Sequence, residues 1–241
     1  MIYAAPPPPR VAHAIVIVLE NRDRSAITAR TAPAFTALAA RYASVTNYSG
    51  VSHPSLPNYL ALVSGSTHGI SSDCTTCSVR GPTIGSELSA AGRTWTAYAE
   101  GYPSSPRFAK KHVPFLYFPG GAAHVQPLTA FDAAKLPDFA FVTPDLCHDM
   151  HDCSTATGDA WLRGFVTPLL TLPDTAIFVV FDEGTSTNAV AAAVLGTAVR
   201  AHSVFAAPTN HYGLLRTLED SWGLPPLGAA RTATPITGIW K

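Results

Sequence analysis

Apolar positions along the chain follow two alternating patterns. Continuous apolar runs predict buried strands at residues 14–19, 94–97, 139–142, 176–181 and 190–195. Between them, apolar residues at helical spacing predict helices at residues 33–42, 57–63, 85–91, 159–170 and 211–222. Continuous apolar strands that alternate with amphipathic helices are typical of an α/β fold, with a mainly parallel central sheet covered by helices on both faces.

The same patterns indicate the domain organisation. Residues 11–241 are expected to form a single domain, since 241 residues suffice for one large core. Four consecutive prolines at 6–9 favour an extended linker over residues 1–10. Residues 100–137 are rich in proline, glycine and aromatic residues without periodicity. We expect this segment to be a long excursion over one edge of the sheet, where active-site loops often lie.

Acidic residues follow three of the predicted strands. Glu20 and Asn21 come after the first strand, Asp145 after the strand at 139–142, and Asp182 and Glu183 after the strand at 176–181. The carboxyl ends of parallel strands meet at one edge, where ligands bind. Gathered carboxylates repel one another unless a cation neutralises them, which indicates a divalent metal ion. The alternative is that these acids are only N-caps of the helices that follow.

Ser55 stands just ahead of Pro57 and of an apolar run at helical spacing. Proline is favoured in the first helical turn, so a helix is predicted to begin near residue 56 or 57. The Ser55 hydroxyl would then lie at a helix N-terminus, which favours an anion, and could attack phosphorus there. The alternative is that Ser55 is only an N-cap.

Three histidines lie where acid–base or phosphate chemistry is expected. His112 follows Lys110 and Lys111, a basic spot suited to phosphate oxygens. His151 lies in a polar loop between two cysteines, and His211 opens the last predicted helix. Taken singly, each is also compatible with an ordinary surface or core histidine.

The charge balance excludes some classes of partner. Lys+Arg and Asp+Glu are both 16, so the formal net charge is zero, and nothing predicts sequence-independent binding of nucleic acid or of an anionic membrane. No apolar stretch reaches the length of a membrane span, and residues 1–9 show no signal-peptide pattern. We expect a monomer.

The four cysteines occur as two close pairs, Cys74 with Cys77 and Cys147 with Cys153. An even number in close pairs favours two local disulfides, and therefore a secreted or cell-envelope protein. A four-cysteine zinc site and free thiols are the alternatives, and the wider spacing of the second pair disfavours zinc.

Six motifs occur in order along nearly the whole chain. They are Ile-Val-Ile-Val-Leu-Glu-Asn (15–21), Ser-His-Pro-Ser-Leu-Pro-Asn-Tyr-Leu-Ala-Leu-Val-Ser-Gly (52–65), Lys-His-Val-Pro-Phe (111–115), Asp-Met-His-Asp-Cys (149–153), Phe-Asp-Glu-Gly (181–184) and Asn-His-Tyr-Gly-Leu-Leu-Arg-Thr-Leu-Glu-Asp (210–220). Together they resemble the phosphoesterase family that joins acid phosphatases and bacterial phospholipases C within the alkaline phosphatase superfamily. The resemblance is greatest to its short secreted acid phosphatases, of the SapM type.

The resemblance implies an alkaline-phosphatase-like fold and assigns roles by position. Ser55 matches the nucleophile. The implied metal ligands are Glu20, Asn21, Asp182 and Glu183. His112 and His151 fall where the family places histidines around the phosphoryl group, and His211 matches a histidine that opens the late helix. The implied phosphate-side residues are Asn21, Asn58 and Lys111.

One departure from the family pattern bears on the cofactor. Many relatives carry a histidine after the acidic pair, where this chain reads Thr187-Asn188-Ala189-Val190. The missing ligand favours one divalent ion over two, and oxygen ligands suit magnesium, calcium or manganese better than zinc.

The expected activity is hydrolysis of a phosphate monoester, on a small molecule or a lipid, through a phosphoserine at Ser55. The alternatives are a phospholipase C-type phosphodiesterase and a secreted binding protein on the same fold that has lost catalysis.

Overall fold

Strands and helices alternate along the chain, as the hydrophobic pattern predicts. The structure is a computed structural model that describes residues 8–241, so the predicted linker at 1–10 falls mostly outside the described residues. The strands are β1 (His13–Leu19), β2 (Ala43–Val45), β3 (Tyr48–Ser49), β4 (Trp95–Ala99), β5 (Val125–Pro127), β6 (Phe139–Thr143), β7 (Thr175–Phe181), β8 (Ala189–Val190), β9 (Ala192–Leu195), β10 (Ser203–Phe205) and β11 (Thr209–Asn210). The helices are α1 (Pro33–Arg41), α2 (Ser55–Ser64), α3 (Ile84–Ala90), α4 (Thr155–Val166) and α5 (His211–Trp222).

Eight strands form the central sheet in the order β10-β2-β9-β7-β1-β6-β4-β5. All neighbours pair in parallel except β9, which is antiparallel to β2 and to β7. The predicted mainly parallel sheet is therefore confirmed. β1 lies between β7 and β6, with Leu19 opposite Phe181 and Ile17 opposite Val142. Consequently the carboxyl ends of β1, β6 and β7 lie at the same edge of the sheet.

Helices cover both faces of this sheet. Phe35 of α1 contacts Phe181, and α1 packs against α4. Tyr59 of α2 contacts Phe141, and α2 packs against α5. The register through Ile17 places Phe181 and Phe141 on opposite faces, so the two helix pairs do not share a face. The central strands are buried on both sides, which explains why they read as continuous apolar runs.

The apolar run at 190–195 is two strands rather than one. Val190 in β8 pairs with Tyr48 in a small sheet of order β11-β3-β8, whereas β9 pairs with β7 and β2. Between them, the carbonyl of Ala191 accepts a hydrogen bond from the N–H of Phe181. The chain thus changes sheets within a run whose hydrophobicity is uninterrupted.

Some helix ends differ from the predicted ones. Polar capping residues and prolines set these ends, and the apolar pattern does not include them. α4 begins at Thr155, earlier than predicted, because the Ser154 hydroxyl accepts the N–H of Thr157. It ends at Val166, before the Pro168 turn. The predicted bounds of α5 are confirmed.

The segment at 100–137 lies at the sheet edge as predicted, but it also contributes a strand. β5 pairs with β4 and forms that edge. The remainder consists of turns, loops and short 3-10 helices.

Both predicted disulfides are present, Cys74–Cys77 and Cys147–Cys153, and no cysteine is free. The zinc and free-thiol alternatives are therefore wrong. The helices formed by residues 8–241 include none with the length and apolar character that a bilayer crossing requires.

A buried acid in α5 makes stability depend on pH. Glu219 is fully buried, and its Oε1 accepts the N–H of Leu227, while Oε2 has no hydrogen-bond partner among the described residues. Burial raises the pKa of Glu219 from 4.5 to about 8. The folded state therefore favours the neutral carboxyl, and this residue costs stability as pH rises from about 4.5 towards 8.

Replacing Glu219 by Gln should remove that cost. We expect the Tm of Glu219→Gln to exceed that of the unaltered protein at pH 8, and the difference to shrink at pH 5. Thermal unfolding of both proteins at the two pH values measures this. An equal Tm difference at both would contradict the assignment.

Candidate active site

Ser55 is the first residue of α2 and lies buried among acidic side chains. Its Oγ donates towards Glu20 Oε2 at 3.1 Å and towards Glu183 Oε1 at 3.3 Å. The hydroxyl does not cap the helix, because the N-cap residue is Pro54 and the N–H of Leu56 bonds to Asp73 Oδ1 instead. The interpretation of Ser55 as only an N-cap is therefore wrong.

The predicted meeting of acidic residues at one sheet edge occurs at the ends of β1 and β7. Glu20, Asp182 and Glu183 are all buried there. The N–H of Asp182 bonds to the carbonyl of Leu19, and the N–H of Asn21 donates to Asp182 Oδ1 at 3.1 Å. None of the three acids caps a helix in these contacts. The structure thus brings the predicted carboxylates together around Ser55.

Asn21 joins this group through its backbone. Its φ of 56° is left-handed, a conformation in which asparagine is enriched among non-glycine residues. A non-glycine residue held there costs local strain, and such strain is concentrated at functional sites.

The three carboxylates do not ionise equally. Burial, followed by the charges of Glu20 and Glu183, raises the pKa of Asp182 well above its usual range. Burial is also the largest cause of the raised pKa of Glu183. Burial acts in the same direction on Glu20, but the charge of the adjacent His112 ring and the hydrogen bond from Tyr59 outweigh it, and the pKa falls to about 2.

This arrangement fits a hard divalent cation. Asp182 Oδ2 is buried and has no hydrogen-bond partner among residues 8–241. Glu20 and Glu183 act on Asp182 through their charges, so carboxylate oxygens are the ligands that a cation beside Asp182 would find, and such oxygens suit magnesium, calcium or manganese. A cation there would offset both the burial and the mutual repulsion that raise the pKa values of Asp182 and Glu183. Glu20, Asp182 and Glu183 are the residues that would hold it, with Asn21 beside them.

His112 lies in the protein interior, between the carboxylates of Glu20 and Asp149. It is fully buried, its Nε2 is 3.1 Å from Glu20 Oε1, and its Nδ1 is 3.3 Å from Asp149 Oδ2. Its ring stacks on Tyr59. Burial lowers its pKa, but Glu20 and Asp149 outweigh this and raise the pKa to about 9. The ring is therefore a buried cation paired with two acids.

Two other histidines are partly exposed beside the site. His151 is predicted from the sequence, and its ring lies 6.2 Å from that of His112, with Nδ1 2.7 Å from Asp152 Oδ1. His53 is not predicted, yet its Nδ1 lies 2.5 Å from Glu183 Oε2 and 47% of its side chain is exposed. Only its position two residues before Ser55 could have indicated it.

His211 occupies the far side of Asp182. Its Nε2 contacts the Asp182 carbonyl at 2.6 Å, and its Nδ1 contacts the Tyr48 hydroxyl at 3.0 Å. Burial lowers its pKa to about 4, so the ring is neutral. Both nitrogens are engaged, which fits support of Asp182 rather than contact with a phosphoryl group.

Asn58 and Lys111, which the sequence predicts to face the phosphate, form hydrogen bonds with other groups of the protein. Asn58 is buried, and its amide bonds to backbone groups of Val51, Ser52 and Pro54, so it shapes the loop ahead of α2. Lys111 Nζ bonds to Asp73 Oδ2 at 2.8 Å.

The helix N-terminus is also less free for an anion than the sequence indicates. Asp73 already takes the N–H of Leu56, and Pro57 has no N–H to offer.

Asp145 belongs to a separate group. Its Oδ1 accepts the N–H groups of Cys147 and His148, and His148 Nδ1 lies 2.9 Å from Glu100 Oε2. Among the described residues, Glu100, Asp145 and His148 are the group whose ligand atoms all lie within 4.8 Å of one another, a spacing that Glu20, Asp182 and Glu183 do not meet in this structure. They are therefore a candidate metal group in their own right. At the position of the missing histidine, Thr187 bonds to Asp23 through its N–H and its hydroxyl.

The chain is similar to one known protein family and to known phosphatases. The model of the Phosphoesterase family matches residues 24–225. A phosphatidylinositol-3-phosphatase of Mycobacterium tuberculosis is 38% identical over 96% of this chain and 84% of its own length. An acid phosphatase of Aspergillus fumigatus is 29% identical over 76% of this chain, which spans 49% of that protein.

Solved structures support the fold. A Vibrio parahaemolyticus protein in the alkaline phosphatase superfamily matches with a TM-score of 0.66 at 11% identity, over 92% of this chain and 70% of its own. Human ectonucleotide pyrophosphatase/phosphodiesterase 5 matches with a TM-score of 0.61 at 10% identity, over 94% of this chain and 100% of its own. The alkaline-phosphatase-like fold is therefore confirmed.

The carboxylate group predicts how metal binding depends on pH. Because Asp182 and Glu183 have raised pKa values and must be deprotonated to bind a cation, Mn²⁺ should bind more tightly at pH 7 than at pH 5. At about 100 times its dissociation constant it should stabilise the fold by about 2.7 kcal/mol. The Tm would then rise by roughly 5–10 °C.

Thermal unfolding with and without Mn²⁺ measures this. Asp182→Asn should abolish the Tm shift, and Asp145→Asn should keep it. The reverse pattern would place the ion in the group of Glu100, Asp145 and His148 instead.

Proposed function

The chain belongs to the Phosphoesterase family and is a phosphoric ester hydrolase, and on this premise we propose that it hydrolyses phosphate monoesters through a phosphoserine at Ser55, with one divalent metal ion. The observation that carries the proposal is the position of the Ser55 hydroxyl, which is buried and donates towards Glu20 and Glu183.

In the proposed reaction, Ser55 Oγ attacks phosphorus in line and the ester oxygen leaves. The Ser55 proton passes to Glu183, which accepts the hydroxyl hydrogen bond and has the raised pKa, and the leaving oxygen takes up a proton from a histidine of the site or from water to give the alcohol. A bound divalent ion would lower the pKa of the hydroxyl and neutralise charge on a phosphate oxygen. Water then hydrolyses the phosphoserine and regenerates the hydroxyl.

His53 and His151 are proposed to contact the phosphoryl group. They are the partly exposed histidines of the site, and each has a carboxylate at Nδ1 that holds its ring. A ring held in this way can offer Nε2 to an equatorial oxygen or to the leaving alkoxide. His112, His211 and Asn58 are proposed to support the site from the protein interior and not to touch the substrate, because they are fully buried.

The substrate is proposed to be a monoester rather than a diester. A phospholipase C needs apolar residues at the mouth of its site to receive a lipid, but in the segment at 100–137 the aromatic residues Phe115, Tyr117 and Phe118 are buried. The mycobacterial relative is named a phosphatidylinositol-3-phosphatase. A phosphoinositide 3-phosphate is therefore a candidate beside small phosphorylated molecules. The two disulfides support an exported protein, which we propose to be a monomer.

Ser55→Ala should abolish hydrolysis of p-nitrophenyl phosphate, because the hydroxyl is the attacking group. We expect a loss of at least 10³-fold in kcat, in keeping with removal of a catalytic nucleophile. The measurement is release of p-nitrophenol by both proteins with Mg²⁺, Ca²⁺ or Mn²⁺ present. Acid quench followed by peptide mass analysis should show phosphate on Ser55 in the active protein.

Several outcomes would contradict the proposal. Full activity in Ser55→Ala would exclude the phosphoserine route. Hydrolysis of bis-p-nitrophenyl phosphate, a diester, without hydrolysis of the monoester would favour the phospholipase C-type alternative. No hydrolysis of either, nor of phosphatidylinositol 3-phosphate in vesicles, would favour a non-catalytic binder.

His53→Gln should lower kcat/KM by about 10- to 100-fold, because it removes the nitrogen that pairs with Glu183 and a group for the phosphate. The matched control is His13→Gln. His13 begins β1, at the opposite end from the site, and contacts the carbonyl of Pro137. Equal kcat/KM values for the two variants would exclude His53 from the site.

A further inference from the structure

Asp149 is a buried carboxylate to which the proposed mechanism gives no role. It is fully buried, and its Oδ1 accepts the N–H of His151 at 2.7 Å. Its carbonyl accepts the N–H of Glu20, also at 2.7 Å. Its Oδ2 lies 3.3 Å from His112 Nδ1. One residue thus contacts three members of the candidate site.

These contacts continue to the nucleophile. Asp149 Oδ2 contacts Nδ1 of the His112 ring. The other ring nitrogen of His112, Nε2, lies 3.1 Å from Glu20 Oε1. The other oxygen of Glu20 accepts the hydroxyl of Ser55. The neighbouring Tyr59 stacks on the His112 ring and donates to Glu20 Oε1 at 2.6 Å.

We propose that Asp149 is a positioning residue, which acts through His112 to hold Glu20 so that Glu20 Oε2 faces Ser55. The inference rests on the proposed function of Ser55. A glutamate has three side-chain torsions, so its two oxygens stay in place only when each has a fixed partner. Misplacement of a reacting group by about 1 Å can cost about 100-fold in rate, which makes such support functionally important.

The loop around Asp149 is built to be rigid. The Cys147–Cys153 disulfide closes it, and Arg22 Nη2 donates to the carbonyls of Met150 and Cys153. Met150, directly after Asp149, has a left-handed φ of 81°. Because these contacts restrain the backbone, the Asp149 carboxylate keeps one direction with little freedom to lose when substrate binds.

The contacts of His112 are at ion-pair distance but are poorly aligned as hydrogen bonds, and neither ring nitrogen has an aligned partner among the described residues. Such catalytic contacts often tighten only when the substrate binds.

The test is a double-mutant cycle between Asp149→Asn and His112→Gln, with p-nitrophenyl phosphate as substrate. Asp149→Asn keeps the shape and the acceptor for the His151 N–H but removes the charge that faces His112. We expect kcat to fall about 10- to 100-fold, the range for loss of an outer partner of a metal ligand. KM should change by less than about 3-fold, because Asp149 does not touch the substrate.

The double variant should be no worse than His112→Gln alone, to within about 3-fold, since both changes break the same path. Losses that multiply would overturn the proposal. The matched control is Asp159→Asn, which removes the charge of another buried aspartate, one that accepts the N–H groups of Ala34 and Phe35 on the face of the sheet opposite to α2. It should lower Tm and leave kcat/KM unchanged.

A measurement on the unaltered protein covers the case in which Asp149→Asn does not fold. A long-range ¹H–¹⁵N spectrum of protein labelled at histidine should show a proton on His112 Nδ1, which Asp149 requires. A bare Nδ1 would overturn the proposal. Full activity of Ser55→Ala would instead end the proposed function, whereas multiplying losses in an enzyme that Ser55→Ala inactivates would end only this inference.

Discussion

Repulsion among buried carboxylates is the constraint on which the site depends. The parallel register of β1 with β7 brings Glu20, Asp182 and Glu183 to one sheet edge, where all three are buried. His112 is a buried cation, but it is paired with Glu20 and Asp149 and does not balance the other two acids. Burial raises the pKa values of Asp182 and Glu183, and the charges of the neighbouring carboxylates raise them further. A site that is short of positive charge suits a divalent cation and, with it, an anionic substrate.

The rest of the fold holds this charge pattern in place. The start of α2 places Ser55 against the acids, and the loop ahead of it is fixed by Asn58. A second loop, closed by a disulfide, carries Asp149 and His151. Tyr59 and His211 are buried next to the acids. The Tyr59 hydroxyl donates to the Glu20 carboxylate, and His211 contacts the carbonyl of Asp182. Rigid elements therefore hold nearly every group that the proposed chemistry needs.

The sequence predicts the layers and the sheet edge because hydrophobic period and strand direction are local signals. It places Glu20 near Asp182 for the same reason. It misses the break at Ala191, since the change of sheet interrupts no apolar run. It also misses Asp73, which caps Leu56 from a distant loop and occupies the expected anion position. His53 and Asp149 are missed because their roles depend on which loops meet in space, and no spacing rule encodes that.

The most direct test of the central claim is anomalous diffraction from crystals grown with Mn²⁺. We expect one strong anomalous peak within about 2.3 Å of carboxylate oxygens of Glu20, Asp182 and Glu183. The same crystals of Asp182→Asn should lack it. A peak only between Glu100, Asp145 and His148, or no peak at a concentration that supports activity, would contradict the claim that buried carboxylate repulsion at this sheet edge selects a metal ion.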